Sequence, residues 1–156
     1  MKETAELLLS NSADAEVDDS YRRTALHRAA ERGHELVAQM LLENGADIER
    51  NDYLGWTALQ MASENGHLGV VRLFLRWNID INARCEGYGR TALQLASGSG
   101  RFKIIQLLSN DADIDAEPAT NDGRTALRAA LESGHFRVVQ LLLERGADVN
   151  AKPAEE

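Results

Sequence analysis

The chain has 156 residues, 44% of them hydrophobic, with 17 basic against 25 acidic side chains and a formal net charge of -8. That suffices for one well-buried domain, whereas the acidic balance and the lack of any Lys/Arg cluster exclude nucleic-acid binding, which rests on neutralising phosphates. No apolar run approaches the roughly 18 residues that mark a membrane span, the acidic start after Met1 is unlike a secretory leader, and Cys85 stands alone, which fits a reducing, cytoplasmic setting.

From the N-terminus, Leu7-Leu8-Leu9 and Ser12-Ala13-Asp14 precede Met40-Leu41-Leu42 and Gly45-Ala46-Asp47 by 33 residues. Residues 1–18 therefore read as the second half of a repeating unit, with polar Glu3 and Thr4 on the outer face where a terminal cap needs them. A first helix is expected over Ala25 to Glu31, with Thr24 as N-cap and Leu26, Ala29 and Ala30 at helical spacing. Gly33 breaks it, and a second helix follows over about 34–43, carrying Leu36, Val37, Met40, Leu41 and Leu42. Gly45 closes that helix in a left-handed cap, a role Asn78 takes in the next unit. The Ala pair in the first helix lets neighbouring helices approach closely.

The pattern then recurs. Thr-Ala-Leu starts at Thr24, Thr57, Thr91 and Thr125, spaced by 33, 34 and 34, and Gly33, Gly66, Gly100 and Gly134 each follow nine residues later. The closing runs begin at Gly45, Asn78, Asp111 and Gly146; the third arrives one residue early, so its second helix carries a deletion, and extra residues near Glu86 and Pro118 lengthen two loops. A period of this length means a linear stack of hairpins, each unable to bury its apolar surface alone. The expected division is 1–18 as a half repeat, then 19–51, 52–85, 86–119 and 120–156 as repeats 1 to 4 of one domain.

Repeat 1 has Thr24-Ala25-Leu26-His27, Gly33-His34 and Gly45-Ala46-Asp47, and repeat 4 has Gly134-His135 and Gly146-Ala147-Asp148-Val149-Asn150-Ala151. These residues resemble the ankyrin repeat; only the family's proline is missing, replaced by Ala25, Ala58, Ala92 and Ala126, a mild change because alanine also favours the first helical position. The phrasing around Tyr88 is similar to fungal ankyrin arrays. The resemblance implies an all-α solenoid that binds a protein through its turn tips and the ends of its first helices.

Side chains that carry chemistry elsewhere resolve into structure here. His34, His67 and His135 share one corner position, too far apart in a stack to hold a metal together, and are expected to bond local backbone. The column Asp14, Asp47, Asp80, Asp113 and Asp148 suits turn formation, and Cys85 has no recurring base beside it. No catalytic, cofactor or metal site emerges.

Binding should reside where the copies differ. Before each threonine the columns read Ser20, Tyr53, Gly87, Asn121; then Tyr21, Leu54, Tyr88, Asp122; then Arg23, Trp56, Arg90, Arg124. The candidate partner-binding residues are Tyr21, Arg32, Tyr53, Leu54, Trp56, Glu64, Asn65, Tyr88 and Ser99. Trp56 interrupts a column of arginines and is the first candidate for a hot spot; the arginines read as scaffold paired with acids such as Asp52 or Glu86. The aromatics either grip a partner or stiffen the stack, and Trp77 reads as a back-face filler.

The expected function is a non-enzymatic module for a protein partner. The alternatives are a structural or regulatory segment of a larger, fungal-type signalling protein, or an engineered scaffold. Phe136, Val138, Val139, Leu141, Leu142 and Leu143 look like an interior repeat, which raises the expectation of a cut from a longer array, a frayed final repeat or a self-association surface. Asn150, with Leu142 and Asp148 before it, fits the asparagine-hydroxylation pattern that the resemblance brings with it.

Overall fold

A computed structural model describes residues 16–85, 89–110, 112 and 125–151. The expectations placed on Leu7 to Asp14, Glu86, Tyr88, Asp111, Asp113, Pro118 and Arg124 lie outside these residues. Eight helices run through the described residues: α1 Ala25–Arg32, α2 Glu35–Glu43, α3 Ala58–Asn65, α4 Leu68–Arg76, α5 Ala92–Gly98, α6 Phe102–Leu108, α7 Ala126–Glu132 and α8 Phe136–Glu144. They fall into four antiparallel pairs, one after each Thr-Ala-Leu. The only β feature among the described residues is a bridge between Asp18 and Thr24.

The first helices of repeats 1 to 3 start with a reciprocal lock, and in repeat 4 only the forward half of it is present, the Arg128 N–H donating to Thr125 Oγ1. Thr57 Oγ1 accepts from the Gln60 N–H (3.3 Å) while Gln60 Oε1 accepts from the Thr57 N–H (2.8 Å), and Thr91 and Gln94 repeat the arrangement. This satisfies two helix-end donors at once, as a capping box does. In repeat 1, His27 replaces the glutamine: its Nδ1 accepts from the Thr24 N–H, so the ring proton sits on Nε2.

The second helices begin one residue later than expected, with His34, His67, Arg101 and His135 as their caps. Gly45 and Asn78 do adopt positive φ, 86° and 54°, one position beyond the caps Asn44 and Trp77. The deletion in the third copy leaves α6 with 7 residues where the other second helices have 9.

The core is a continuous layer of Leu26, Leu59, Leu93 and Leu127 from the first helices, and Leu41, Phe74, Ile105 and Leu142 from the second. First helices pack on one another more extensively than second helices do. The small residues Ala30, Ser63 and Ser97, each fully buried, explain this close approach. Because the first helices crowd together, they occupy the inner side of the stack, and the turns before them line the same edge.

Candidate functional site

Turn tips are built alike and then decorated differently. In repeats 1 and 2 an aspartate five residues before the threonine closes the turn. Asp19 Oδ1 accepts from the Tyr21 and Arg23 N–H groups, and Asp52 Oδ1 accepts from Leu54 (2.8 Å) and Trp56 (3.0 Å). In repeat 3 the closing residue is Cys85, six before its threonine: its N–H donates to Arg90 O. The Cys85 side chain is buried. Successive tips are also joined, since the Tyr53 N–H donates to Tyr21 O at 2.8 Å.

Consequently the aromatic side chains of the tips point away from a fixed backbone. Tyr21, Tyr53 and Leu54 are 62%, 69% and 55% exposed, and the Arg23 guanidinium lies over the Tyr21 ring. Trp56 is different: it is half-buried and packs on the core, and its carbonyl accepts from His27 Nε2 at 3.1 Å. Arg32 and Asn65 are exposed at the ends of α1 and α3, whereas Glu64 and Ser99 are half-buried. Trp77, expected to fill the back face, caps the C-terminus of α4 and is 43% exposed.

Arg23 pairs with Asp52 of the next turn (3.1 Å), as its column suggested. The same side chain also reaches Glu31 at the end of α1 (3.2 Å), and Arg28 meets the other oxygen of Glu31 at 3.0 Å. Glu64, the counterpart of Glu31 in repeat 2, has neither cation: Trp56 stands for Arg23 and Met61 for Arg28. Burial holds the Glu64 carboxyl above its usual range, against the opposing pull of Arg90 and Arg101.

Between repeats, polar side chains read backbone. His67 Nε2 meets Glu31 O (2.9 Å), Arg101 Nε donates to Glu64 O (2.8 Å) and His135 Nε2 meets Gly98 O (3.1 Å). His67 and His135 thus bond the preceding repeat, not local backbone as their position suggested, because each ring lies across the glycine that ends the earlier first helix. Any side chain on Gly33 (φ 72°) or Gly100 (φ 68°) would collide with the ring of His67 or His135. In the forward direction, Gln60 Nε2 donates to Ala83 O and Arg90 O. These bonds were not legible as inter-repeat contacts; the only signal was that each column keeps a hydrogen-bonding side chain.

The aspartate column forms turns as expected: Asp47, Asp80 and Asp148 accept from the N–H two residues on. Among the described residues no three His, Cys, Asp or Glu side chains gather as a metal would require, and no helix is long and apolar enough to cross a membrane.

The family model described as "Ankyrin repeats (3 copies)" matches residues 1–85 and 80–153. The chain belongs to the ankyrin repeat family. No curated protein matches closely enough to count as a relative. Ankyrin repeats are generally protein-interaction modules and generally non-enzymatic. In this ankyrin stack the inner edge carries exposed Tyr21, Tyr53 and Leu54 on hydrogen-bonded tips. In repeat 4, Val138, Leu141 and Leu142 are buried as in an interior repeat, but Leu131, Phe136, Leu143 and Val149 are exposed.

Proposed function

We propose that this chain is a non-enzymatic binding module that grips a protein partner along its turn tips and the ends of its first helices. The observation that carries this reading is the pairing of exposed Tyr21, Tyr53 and Leu54 with a backbone already locked by Asp19 and Asp52. A preorganised surface loses little entropy on binding, and tyrosine offers large contact area with few rotatable bonds. The tips of repeats 1 and 2 form the apolar part of the face; Arg32, Glu64, Asn65 and Ser99 form its polar flank, with Tyr88 assigned to the same face by its column.

Tyr53 replaces Trp56 as the first residue to test, because Trp56 also serves the core. Peptides selected from a displayed library against the whole chain should lose about 2 kcal/mol of affinity or more with Tyr53→Ala, at an unchanged melting temperature. Trp56→Ala should lower the melting temperature as well. Selection that yields no binder, or binders indifferent to Tyr53, would remove the reading.

A second reading is favoured by the four exposed apolar side chains of repeat 4: a second copy of the chain seated on α7 and α8. Light scattering that shows a monomer across a wide concentration range would exclude it.

A further inference from the structure

The second helices form the outer side of the stack, away from the turn tips, and two columns there change character along the chain. In repeat 1 the Gln39 amide donates to Glu43 (2.8 Å), and in repeat 4 Gln140 donates to Glu144 (3.0 Å). Repeat 2 places Arg72 and Arg76 at those two positions. Like charges one turn apart on a helix repel, so α4 carries a small penalty where its counterparts gain a bond. Both arginines are exposed, and among the described residues no ion pair or hydrogen bond reaches either side chain.

The next two helices continue the same sign. Lys103 of α6 and Arg137 of α8 share a column and are exposed; no ion pair reaches them among the described residues, and Arg137 lies over the Phe102 ring, 5.0 Å from its centre. Neither α4 nor α6 contains an acid, and the one acid of α8, Glu144, is engaged by Gln140. A chain of net charge -8 therefore turns a basic strip outward. At its end lies a hollow of about 440 Å³ lined by Phe102, Phe136, Arg137 and the corner glycines Gly100 and Gly134, with Phe136 itself 79% exposed.

We propose that this strip docks an acidic segment of a protein partner, laid across α8, α6 and α4 with one apolar side chain in the hollow beside Phe102 and Phe136. Packed helices lie about 8–10 Å apart. A chain in polyproline II form has about three residues per turn and rises about 3.1 Å per residue, so every third side chain faces the same way at that spacing. Acids three apart would then meet Arg137, Lys103 and the Arg72–Arg76 pair in turn. Such complementarity fixes the register and turns basic segments away. Nucleic acids and anionic membranes fit less well, because they present many charges to the whole acidic molecule. A short segment lies within a Debye length, about 8–10 Å, of the four cations alone. This surface is separate from the tyrosine-bearing tips and stands or falls apart from them.

The test is fluorescence anisotropy of the whole chain with a labelled, end-blocked peptide, Phe-Glu-Pro-Pro-Glu-Pro-Pro-Glu. It should bind at least about tenfold more tightly than its glutamine counterpart and more tightly than Phe-Glu-Glu-Glu-Pro-Pro-Pro-Pro, and added salt should weaken it. Arg72→Glu combined with Lys103→Glu should weaken it about tenfold, and Phe136→Ala about threefold. The two charge reversals lie in repeats 2 and 3, so a second copy seated on α7 and α8 would be indifferent to them. Should the reversed variant not fold, Arg72→Gln with Lys103→Gln decides. Absence of binding, equal binding of the contiguous-glutamate peptide, indifference to Arg72 and Lys103, or loss of binding in Tyr53→Ala would overturn the assignment. So would tighter binding of a single-stranded oligonucleotide or of phosphatidylserine vesicles in the same buffer. Failure here, with selected peptides still dependent on Tyr53, removes the outer strip and leaves the inner edge as the binding surface.

Discussion

Repeats 1 and 2 share a backbone and differ in what happens at the inner corner where a first helix ends. In repeat 1 the corner is closed: Arg23 ties Glu31 to Asp52 of the following turn, and Arg28 holds the second oxygen of Glu31. In repeat 2 the corner is open, since Trp56 and Met61 occupy the two arginine positions and Glu64 is left without a direct partner. A repeat array can therefore commit one copy of a corner to holding the stack together and leave the acid of the next without a direct cation. The change needs two or three side chains and no movement of backbone.

The contrast can be broken most forcefully at Asp52. Its carboxylate is buried, ends the Arg23 chain and accepts two turn N–H groups. Asp52→Ala leaves both turn donors unpaired and takes from Arg23 its buried partner, with Glu31 remaining, and should cost about 3 kcal/mol, read as a lower urea midpoint at an unchanged slope. A loss well under 1 kcal/mol (about the worth of one exposed pair) would mean that the closed corner contributes little to holding the stack.

A smaller effect separates the two glutamates. Glu31→Ala removes partly exposed ion pairs and should cost up to about 1 kcal/mol. Glu64→Ala should cost nothing, and the ionised side chain it removes is one that burial disfavours. Equal losses at the two positions would erase the distinction between closed and open corners.

The smallest effect at neutral pH is expected for His27→Gln, which installs the residue that repeats 2 and 3 already use in the same lock. Burial holds the His27 imidazole below its usual value of 6.5, against the pull of the Trp56 carbonyl and Asp52. Below about that pH the unfolded chain takes up a proton that the folded chain resists, so stability falls as pH drops through 6.5. The glutamine variant should match the parent near pH 8 and lose less stability on acidification toward pH 5, which parallel denaturation curves would show. Identical pH profiles would mean that His27 is not held neutral.

Much of the fold was legible because it is periodic. Thr24, Thr57, Thr91 and Thr125 announced the helix starts, Gly33 and its counterparts the corners, and the short third copy foretold a short α6. What the period could not show was the direction of a side chain. His67 looked like a residue bonding its own corner but reaches Glu31 O one repeat back. Trp56 looked like a free aromatic because it broke a column of arginines, yet a large flat ring beside a tight helix pair finds apolar surface to cover.

The ring-and-guanidinium links to preceding carbonyls also bear on what the molecule does under load. Each link spans one joint and no further, so tension applied at the two ends would be carried by the joints in series, like segments of a chain. The joint around α6 has the shortest second helix and a flexible, exposed Arg101 where its neighbours use a ring. Stretching should part the molecule there first, leaving the tyrosine-bearing segment intact as the last piece to yield.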